Sequence, residues 1–464
     1  MCAYLCFQEC NSLEEYQLII KNREELIWSG LRARAVELID TGISRVLPGN
    51  LLQSAIKLNK KRKQLNIKGV SYDISRSRIF IIGGGKAARL MATELELILG
   101  AESITAGAIN SKSDGSPTER ISITLAGHPV PDAEGVQGVR NMLTLKARYD
   151  IGKDDLVICL LSGGGSSLMP CPVAGVTLED KRDMTLLLLR CGAGIGEINT
   201  VRKHLSLIKG GNLGRFYDPA RVVSLIISDV VGDNLASIAS GPTVPDTSTF
   251  KDAFKVLEKY NLLDKSPLNA VEYIRRGSQG LEAETPKELN NCDNYIIGNN
   301  RLALDAMAEK ARDLGLNPLI VTTEQTGDTA AAAQLHAGEF MEGKYKGFDV
   351  VLFGGETTPT LPEKAGKGGR NQHYAAVSML ALRECTSPWL VASVGTDGSD
   401  FMSDTAGAMV DQRSLDTVRM LGINVQNYID RYDSNTLFQK IGRSLIVTGP
   451  TGTNVSDIML YLSG

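Results

Sequence analysis

A glycine-rich turn that follows the apolar run Ile79–Ile82 is the first feature of this sequence suited to chemistry. It reads Gly83-Gly84-Gly85-Lys86 and leads into a stretch with helical spacing. Glycines let a phosphate approach the main chain at a helix N-terminus, and Lys86 adds a positive charge to the same turn. We predict that Gly84, Gly85 and Lys86 contact a phosphate or a carboxylate. A tight turn without a ligand is the alternative interpretation.

The same turn also matches the G-x-G-x-x-A pattern of dinucleotide-binding proteins. In those proteins an Asp or Glu about 20 residues further along the chain binds the ribose. Here the next predicted strand ends in Asn110-Ser111-Lys112, so that acid is missing. The turn therefore favours a phosphate or carboxylate over a nicotinamide dinucleotide.

A second turn of this kind follows the apolar run Leu156–Leu161. Three glycines and then two hydroxyls make an anion-binding nest, in which backbone amides and side chains point at one ligand. A nucleophilic serine is a weaker alternative, because G-x-S-x-G is absent and the chain has only four histidines that could act as a base. The predicted anion-binding residues of this turn are Ser162, Gly163, Gly164, Gly165, Ser166 and Ser167.

Two carboxylates and a lysine extend the set in the first half of the chain. Asp229 and Asp233 follow the apolar run Val222–Ile227, and Mg²⁺ commonly takes one or two carboxylates together with substrate phosphates. We predict a metal site at these two residues, with helix capping by Asp233 as an equal alternative. Lys209, before two glycines, is a candidate phosphate ligand, although a lysine that interacts with a helix dipole would look the same.

The second half of the chain repeats the arrangement. Glu356 follows one apolar run, and Arg370-Asn371 follows a loop of glycines at a predicted helix start. An arginine at such a place suits bidentate binding of a carboxylate or phosphate, and we predict that Glu356 and Asn371 contact the same substrate or phosphate. Asp397 follows the last strong apolar run, with Asp400 and Asp404 close behind. These acids are candidate ligands for metal or substrate hydroxyls, or they form Asx turns only.

The elements that must position these residues are strands that alternate with helices. Short apolar runs, each followed by a polar turn and a helical stretch, predict βα units and a largely parallel sheet. Ligands of such sheets bind beyond the carboxyl ends of the strands, so all these turns are expected at one edge. Anion nests, cationic side chains and carboxylates together are what phosphoryl transfer requires.

Length and composition set the wider frame. The chain has 464 residues, a net charge of −3 and 47 glycines, about 10% against the usual ~7%. The near balance of charge argues against nucleic-acid binding, and no apolar run approaches the ~20 residues of a membrane span. The first twenty residues contain no Lys or Arg, so no secretory or mitochondrial leader is expected and the predicted location is cytoplasmic. A polar stretch predicts two domains, 1–262 and 292–464.

Taken together, the ordered motifs resemble the class II glycerate kinases, the family with a C-terminal MOFRL domain. The resemblance runs from about Ile27 to the C-terminus, and its carriers include Gly127-His128-Pro129-Val130-Pro131-Asp132 besides the turns above. It implies an α/β fold, with a Rossmann-like parallel-sheet N-terminal domain and a smaller α/β domain, and an active site in the cleft between them. It also implies phosphorylation of D-glycerate with ATP and Mg²⁺, in most members at the 2-hydroxyl.

The resemblance implies that Lys86 and Arg370 are catalytic, in agreement with their charge, and we predict Asp397 as a base or hydroxyl-orienting group. His373 stands where the family usually has Glu, and Phe401-Met402-Ser403 replaces the usual Gly-Pro-Thr. Two other functions stay open. One is NAD(P)H-dependent hydroxypyruvate reduction, and the other is metabolite binding without catalysis.

Overall fold

The computed structural model describes residues 18–401 and 404–464. Met402 and Ser403, two of the residues that depart from the family pattern, lie outside the described residues. The helices are α1 (Arg23–Leu26), α2 (Gly30–Arg45), α3 (Pro48–Ala55), α4 (Ala88–Leu99), α5 (Ala133–Tyr149), α6 (Gly165–Leu168), α7 (Leu178–Arg190), α8 (Ile195–His204), α9 (Asn212–Tyr217), α10 (Phe250–Lys259), α11 (Leu268–Ser278), α12 (Asn300–Asp313), α13 (Thr329–Met341), α14 (Arg370–Ala381), α15 (Gln412–Met420), α16 (Val425–Asp430) and α17 (Ser434–Ile441).

The strands form a small antiparallel meander, β1-β2-β3, and two six-stranded sheets. Short 3₁₀ turns lie at Ala101–Ser103, Ile238–Ser240 and Leu382–Glu384. The strands are β1 (Ile56–Asn59), β2 (Gln64–Ile67), β3 (Val70–Asp73), β4 (Ile79–Gly84), β5 (Ile104–Ser111), β6 (Ile121–Leu125), β7 (Leu156–Leu161), β8 (Arg221–Ile227), β9 (Cys292–Gly298), β10 (Pro318–Gln325), β11 (Val350–Gly355), β12 (Trp389–Gly395), β13 (Gly407–Asp411), β14 (Leu445–Ile446) and β15 (Asp457–Ser463).

The first sheet has the order β6-β5-β4-β7-β8-β9 and is parallel throughout. Counted from β4 this order is 3-2-1-4-5-6, the Rossmann arrangement. Its central strands β4 and β7 are buried on both faces, which explains their continuous apolar sequence. The chain reverses direction across the sheet between β4 and β7, and ligands of such sheets bind at that point.

The second sheet has the order β10-β11-β15-β12-β13-β14. Only β10 and β11 are parallel in it, whereas β15 runs antiparallel to both of its neighbours. The prediction of a largely parallel sheet is therefore correct for the first sheet and wrong for the second. The C-terminal strand β15 enters the middle of the sheet from the opposite direction, and β12, β13 and β14 also pair antiparallel.

Strand β9 bears on the predicted division of the chain. It pairs in parallel with β8 in the first sheet, although the predicted second domain began at residue 292. The polar stretch before it is also not a bare linker, because it contains α11. We propose that the division follows the sheets and lies after β9.

The two sheets share one apolar core. The long helices α2 and α12 pack against each other, and α2 also packs on the second sheet. One continuous cluster of buried side chains joins Ile81 and Ile158 of the first sheet, Leu38 of α2 and Leu352 of the second sheet. This shared core fixes the edges of the two sheets relative to each other. No helix in the described ranges is long and apolar enough to cross a membrane.

A helical lobe projects from the first sheet. Helices α7, α8, α10 and α11 enclose their own apolar cluster, which includes Met184, Leu188 and Ile274. Helix α7 begins with a capping box, in which the side chains of Thr177 and Asp180 each accept a hydrogen bond from the other residue's backbone amide. The lobe is joined to the second glycine-rich turn through the segment after α8.

Candidate active site between the two sheets

The two glycine-rich turns of the first sheet interlock at the end of β4 and β7. The Lys86 amide donates to the carbonyl of Gly163 at 2.8 Å, and the Ala87 amide donates to Ser162 Oγ at 3.0 Å. Gly164 has a φ of +78°, a left-handed conformation that other residues rarely adopt. The turns therefore form one rigid unit, and they place Lys86 beside the second turn.

Some backbone amides of the second turn have no hydrogen-bond acceptor among the described residues. The amides of Gly163 and Gly164 donate to no group among the described residues, so they can bind an anion. The hydroxyls are more engaged: Ser167 Oγ donates to the Gly164 carbonyl at 3.0 Å, and the hydroxyls of Ser166 and Ser240 are 2.7 Å apart. Gly165 packs against Ala239. An anion nest built mainly from backbone amides is consistent with this geometry.

Lys86 reaches across to the second sheet. Its Nζ lies 3.8 Å from Asp397 Oδ2, and about 30% of each side chain is exposed. Asp397 follows β12, and its Oδ1 accepts the amide of Ser399 at 3.0 Å. A catalytic lysine and a hydroxyl-orienting acid, both predicted from the sequence, thus face each other across an accessible gap.

Asp229, which follows the end of β8, lies close to Lys86 and Asp397. Asn454 Nδ2 donates to its Oδ2 at 3.1 Å, and a Cβ at Gly163 would come within 1.8 Å of the same oxygen. Burial raises the pKa of Asp229 to about 6, with Glu356 and Asp397 adding to the rise and Lys86 opposing it. A carboxylate directly beside an anion nest repels any bound anion, and a cation between the two would offset that repulsion.

Asp233, the second predicted metal ligand, is held differently. It has a φ of +54°, and its carboxylate accepts a hydrogen bond from the side chain of Asn299. Asp229 and Asp233 both line a polar cavity of about 30 Å³, to which Glu324 and Ser456 contribute from the second sheet. Within the described ranges no three His, Cys, Asp or Glu side chains form a ready-made metal site.

Arg370 is anchored at the edge of the second sheet. Its Nε donates to Asp457 Oδ2 at 2.6 Å and its Nη2 to Asp457 Oδ1 at 3.1 Å, while Nη1 lies 2.7 Å from Glu356 Oε1. Burial lowers the pKa of Arg370, but the two carboxylates outweigh it and raise the pKa above its usual value. Burial raises the pKa of Asp457 to about 6 despite Arg370. The guanidinium is therefore fixed and permanently charged.

Asn371 supports this arrangement from the first turn of α14. Its side chain donates to Asp457 Oδ1 at 3.0 Å and accepts from Ser393 Oγ at 2.6 Å, and the residue is buried. Asp400, which is also buried, accepts the amides of Asn371 and Gln372 and so caps the helix. The contact with ligand predicted for Asn371 stays a prediction, since its side chain already has protein partners.

Lys209, the remaining predicted phosphate ligand, is buried behind the second turn. Its Nζ donates to the carbonyl of Ser166 at 2.9 Å and is 3.5 Å from that of Ala239. Burial lowers its pKa well below the usual value, and the nearby Lys181 and Arg202 lower it further. Lys209 therefore supports the turn, and its contact with phosphate stays a prediction.

Two histidines also lie near the site. The ring of His128 packs against Gly164, and its pKa falls to about 4 because of burial first and the neighbouring Lys86 second. His373 is buried on α14, where it stacks on Tyr432 with 3.6 Å between ring centroids. His128 is thus a neutral group at the nest, whereas His373 packs in the interior, on the same helix, α14, that begins with Arg370.

Sequence reasoning missed Asp457, Asn454 and Ser456. The predicted carboxylates all follow apolar runs, but Asp457 precedes one, because β15 is antiparallel to its neighbours. Its register places it beside Gly355 and Gly395, the last residues of β11 and β12. The signal that could have found it is a carboxylate directly before the apolar run Ile458–Leu462 at the end of the chain.

Two family models match the chain. Residues 34–275 match a domain of unknown function, DUF4147, and residues 349–457 match the MOFRL family. The glycerate 2-kinase of Pyrococcus horikoshii is 37% identical over 94% of this chain and 98% of its own length. The crystal structure of glycerate kinase from Thermotoga maritima superposes with a TM-score of 0.83 at 36% identity, covering 94% of this chain and 99% of that one.

A third relative, from Agrobacterium vitis, carries a name that provisionally assigns it as a hydroxypyruvate reductase. It is 39% identical over 83% of this chain and all of its own length. The family models, the two kinase relatives and the arrangement of both sheets agree with one another. The chain therefore belongs to the glycerate kinase family that carries a C-terminal MOFRL domain.

Proposed function

We propose that the protein transfers the γ-phosphoryl group of ATP to D-glycerate, at the 2-hydroxyl, to give 2-phosphoglycerate and ADP. The observation that carries the proposal is the meeting of Lys86, Asp229, Asp397 and Arg370 at facing edges of the two sheets. The names of the Pyrococcus and Thermotoga relatives support the same reaction.

The reaction is a direct in-line displacement. The glycerate oxygen forms a bond to the γ-phosphorus while the bond to the bridging oxygen of ADP breaks, and the hydroxyl proton passes to Asp397. Lys86 neutralises charge that develops on the transferring group, and Arg370, already fixed by Asp457, binds equatorial oxygens. Such a transition state needs positioning and charge compensation more than covalent chemistry.

The residues present fit a Mg²⁺ ion held by Asp229, with Asp233 as a second carboxylate on the same small cavity. When bound, the ion neutralises phosphate charge that Lys86 and Arg370 leave unbalanced. Asn454 holds the carboxylate of Asp229 by a hydrogen bond and so orients it toward the place of the cation.

Hydride transfer from a nicotinamide cofactor is the second candidate, favoured by the name of the Agrobacterium relative. The end of β5, where dinucleotide-binding proteins carry a ribose-binding acid, argues against it. Asn110 is buried there, and its side chain donates to the carbonyls of Gly135 and Leu168 at 2.8 and 2.7 Å. A role in binding without catalysis is disfavoured, since the charged groups needed for catalysis are in place.

The test is ADP formation from ATP and Mg²⁺ by the purified chain, with and without D-glycerate, followed in parallel with NADH oxidation by hydroxypyruvate. We expect glycerate-dependent ADP formation and a 2-phosphoglycerate product in the ³¹P NMR spectrum. NADH consumption without ADP formation would overturn the proposal in favour of the reductase. Inactivity in both assays would leave only a binding role.

Lys86→Ala tests the assignment within the active enzyme. We expect turnover to fall by at least 10³-fold, because a fixed charge at the transferring group is lost, while thermal unfolding stays unchanged. Lys112→Ala is the matched control. Lys112 is an exposed lysine that, like Lys86, lowers the pKa of His128 by its charge. Equal turnover of the two variants would contradict a catalytic role for Lys86.

A further inference from the structure

Three cationic side chains lie together in the helical lobe without a carboxylate to balance them. Lys181 on α7 is buried, and its Nζ has no hydrogen-bond partner. Arg202 on α8 is partly exposed and makes no hydrogen bond or ion pair with any residue that the structure describes. Lys209 donates only to main-chain carbonyls. We call these three residues the cationic cluster.

The members of the cluster act on one another. The pKa of Lys181 is lowered to about 7, by burial first and by the charge of Arg202 second. The charges of Lys181 and Arg202 likewise lower the pKa of Lys209. The one acidic group that opposes these shifts is the thiol of Cys171, whose own pKa is raised by burial, so it supplies no negative charge at neutral pH.

A neighbouring buried lysine in the same lobe, in contrast, is paired with a carboxylate. Lys203, next to Arg202 on α8, is also buried, but its Nζ lies 3.1 Å from Asp246 Oδ1. Asp246 in turn accepts hydrogen bonds from Ser248 and Thr285. Unpaired buried charge destabilises a fold. Lys181 has no such carboxylate partner, and a ligand with a negative charge would supply one.

The cluster adjoins the candidate active site. Lys209 Nζ donates to the carbonyl of Ser166, and Gly164, two residues earlier, touches His128 and the stem of Lys86. Two residues span at most about 7 Å of chain. Lys209, the member of the cluster that touches the turn, is therefore within two residues of the point where the turn meets Lys86.

We propose that the cationic cluster binds the carboxylate of the three-carbon hydroxy acid and thereby directs its hydroxyl toward Lys86. Arg202, the partly exposed member, makes the bidentate contact that suits a planar carboxylate. Lys181 and Lys209 lie behind it and stabilise the bound charge. This inference rests on the proposed kinase function and extends it to the recognition of the acceptor.

The test compares D-glycerate with glyceramide, which has the same hydroxyls but no charge. For Arg202→Gln we expect the preference for glycerate, as the ratio of kcat/KM values, to fall at least tenfold, with the KM for ATP within twofold of wild type. Lys181→Met is the second variant and should lower the preference at least threefold. An unchanged preference in both variants would overturn the proposal, and so would a rise in the KM for ATP alone, which would assign the cluster to nucleotide phosphate.

Lys203→Met is the matched control within the same lobe. It removes a buried lysine that has a partner, so we expect lower thermal stability and an unchanged preference between the two acceptors. A preference that falls as far as in Arg202→Gln would assign the effect to general damage of the lobe and overturn the proposal. Failure of the kinase function itself is recognised separately, because wild-type protein would then form no ADP with glycerate.

Discussion

Replacement of Lys181 by Met should stabilise the protein, and by an amount that depends on pH. In the native chain burial lowers the pKa of this lysine from 10.5 to about 7. At about 1.4 kcal/mol per pH unit this corresponds to a destabilisation on the order of 5 kcal/mol when the lysine is charged. Methionine has a similar length and no charge, so the variant loses that penalty while it keeps the packing of α7.

The sign follows from proton binding. Between about pH 7 and 10.5 the unfolded chain holds a proton on Lys181 that the native chain does not, so the stability of the wild type rises with pH. The advantage of Lys181→Met is therefore complete below pH 7 and disappears toward pH 10.5. Urea denaturation at pH 6.5, 8 and 9.5, in buffers free of carboxylate and phosphate, measures it.

Lys203→Met serves as the control of opposite sign, because it leaves the buried Asp246 without its partner. It should lower the free energy of unfolding at pH 6.5. The reasoning is refuted if Lys181→Met is less stable than wild type at pH 6.5, or if its difference from wild type is the same at all three pH values.

Three further predictions concern the cleft. Asp457→Asn should lower the free energy of unfolding by about 3 kcal/mol in urea, since it breaks a buried pair with Arg370, and turnover should fall with it; unchanged stability would contradict this. Gly164→Ala forces a Cβ to within 2.8 Å of His128 Cδ2 at a φ of +78°, so we expect at least a tenfold loss of turnover, and full activity would exclude a rigid nest. Protons should compete with Mg²⁺ at Asp229, whose pKa is about 6; the Mg²⁺ concentration for half-maximal rate should thus rise about tenfold per pH unit below pH 6, and a flat profile would remove Asp229 from the metal site.

The strands of the first sheet could be predicted from the sequence because the central ones are buried on both faces. Runs such as Leu156–Leu161 contain nothing but apolar residues, and each ends in a turn that glycine makes visible. The strand order and strand directions of the second sheet could not be predicted in the same way. Its last strand, β15, returns from the far end of the chain to lie between β11 and β12, and such a long-range, antiparallel pairing leaves no local pattern.

The candidate site divides in the same way. Lys86 and Asp397 were predicted to lie at one edge of a parallel sheet. The structure places them 3.8 Å apart, but at facing edges of two sheets, and only the sheet of Lys86 is parallel. The partners that orient the site were not predicted. Asp457 anchors Arg370 and Asn454 fixes Asp229, and both lie just before a strand rather than after one. Whether a side chain has a partner, as Lys203 has and Lys181 lacks, depends on burial and contact, which spacing does not encode.

The charge of the cleft itself argues for a cation in the reaction. Four carboxylates lie at its centre, on Asp229, Glu356, Asp397 and Asp457, and Lys86 and Arg370 are the cations among them. Burial raises the pKa of Asp229 and Asp457 to about 6, and the negative charge of Glu356 adds to the rise in both. A polyphosphate adds further negative charge against the nest at Gly163. We therefore expect such a ligand to bind as its complex with a divalent cation, because the carboxylates that repel free phosphate attract the metal complex.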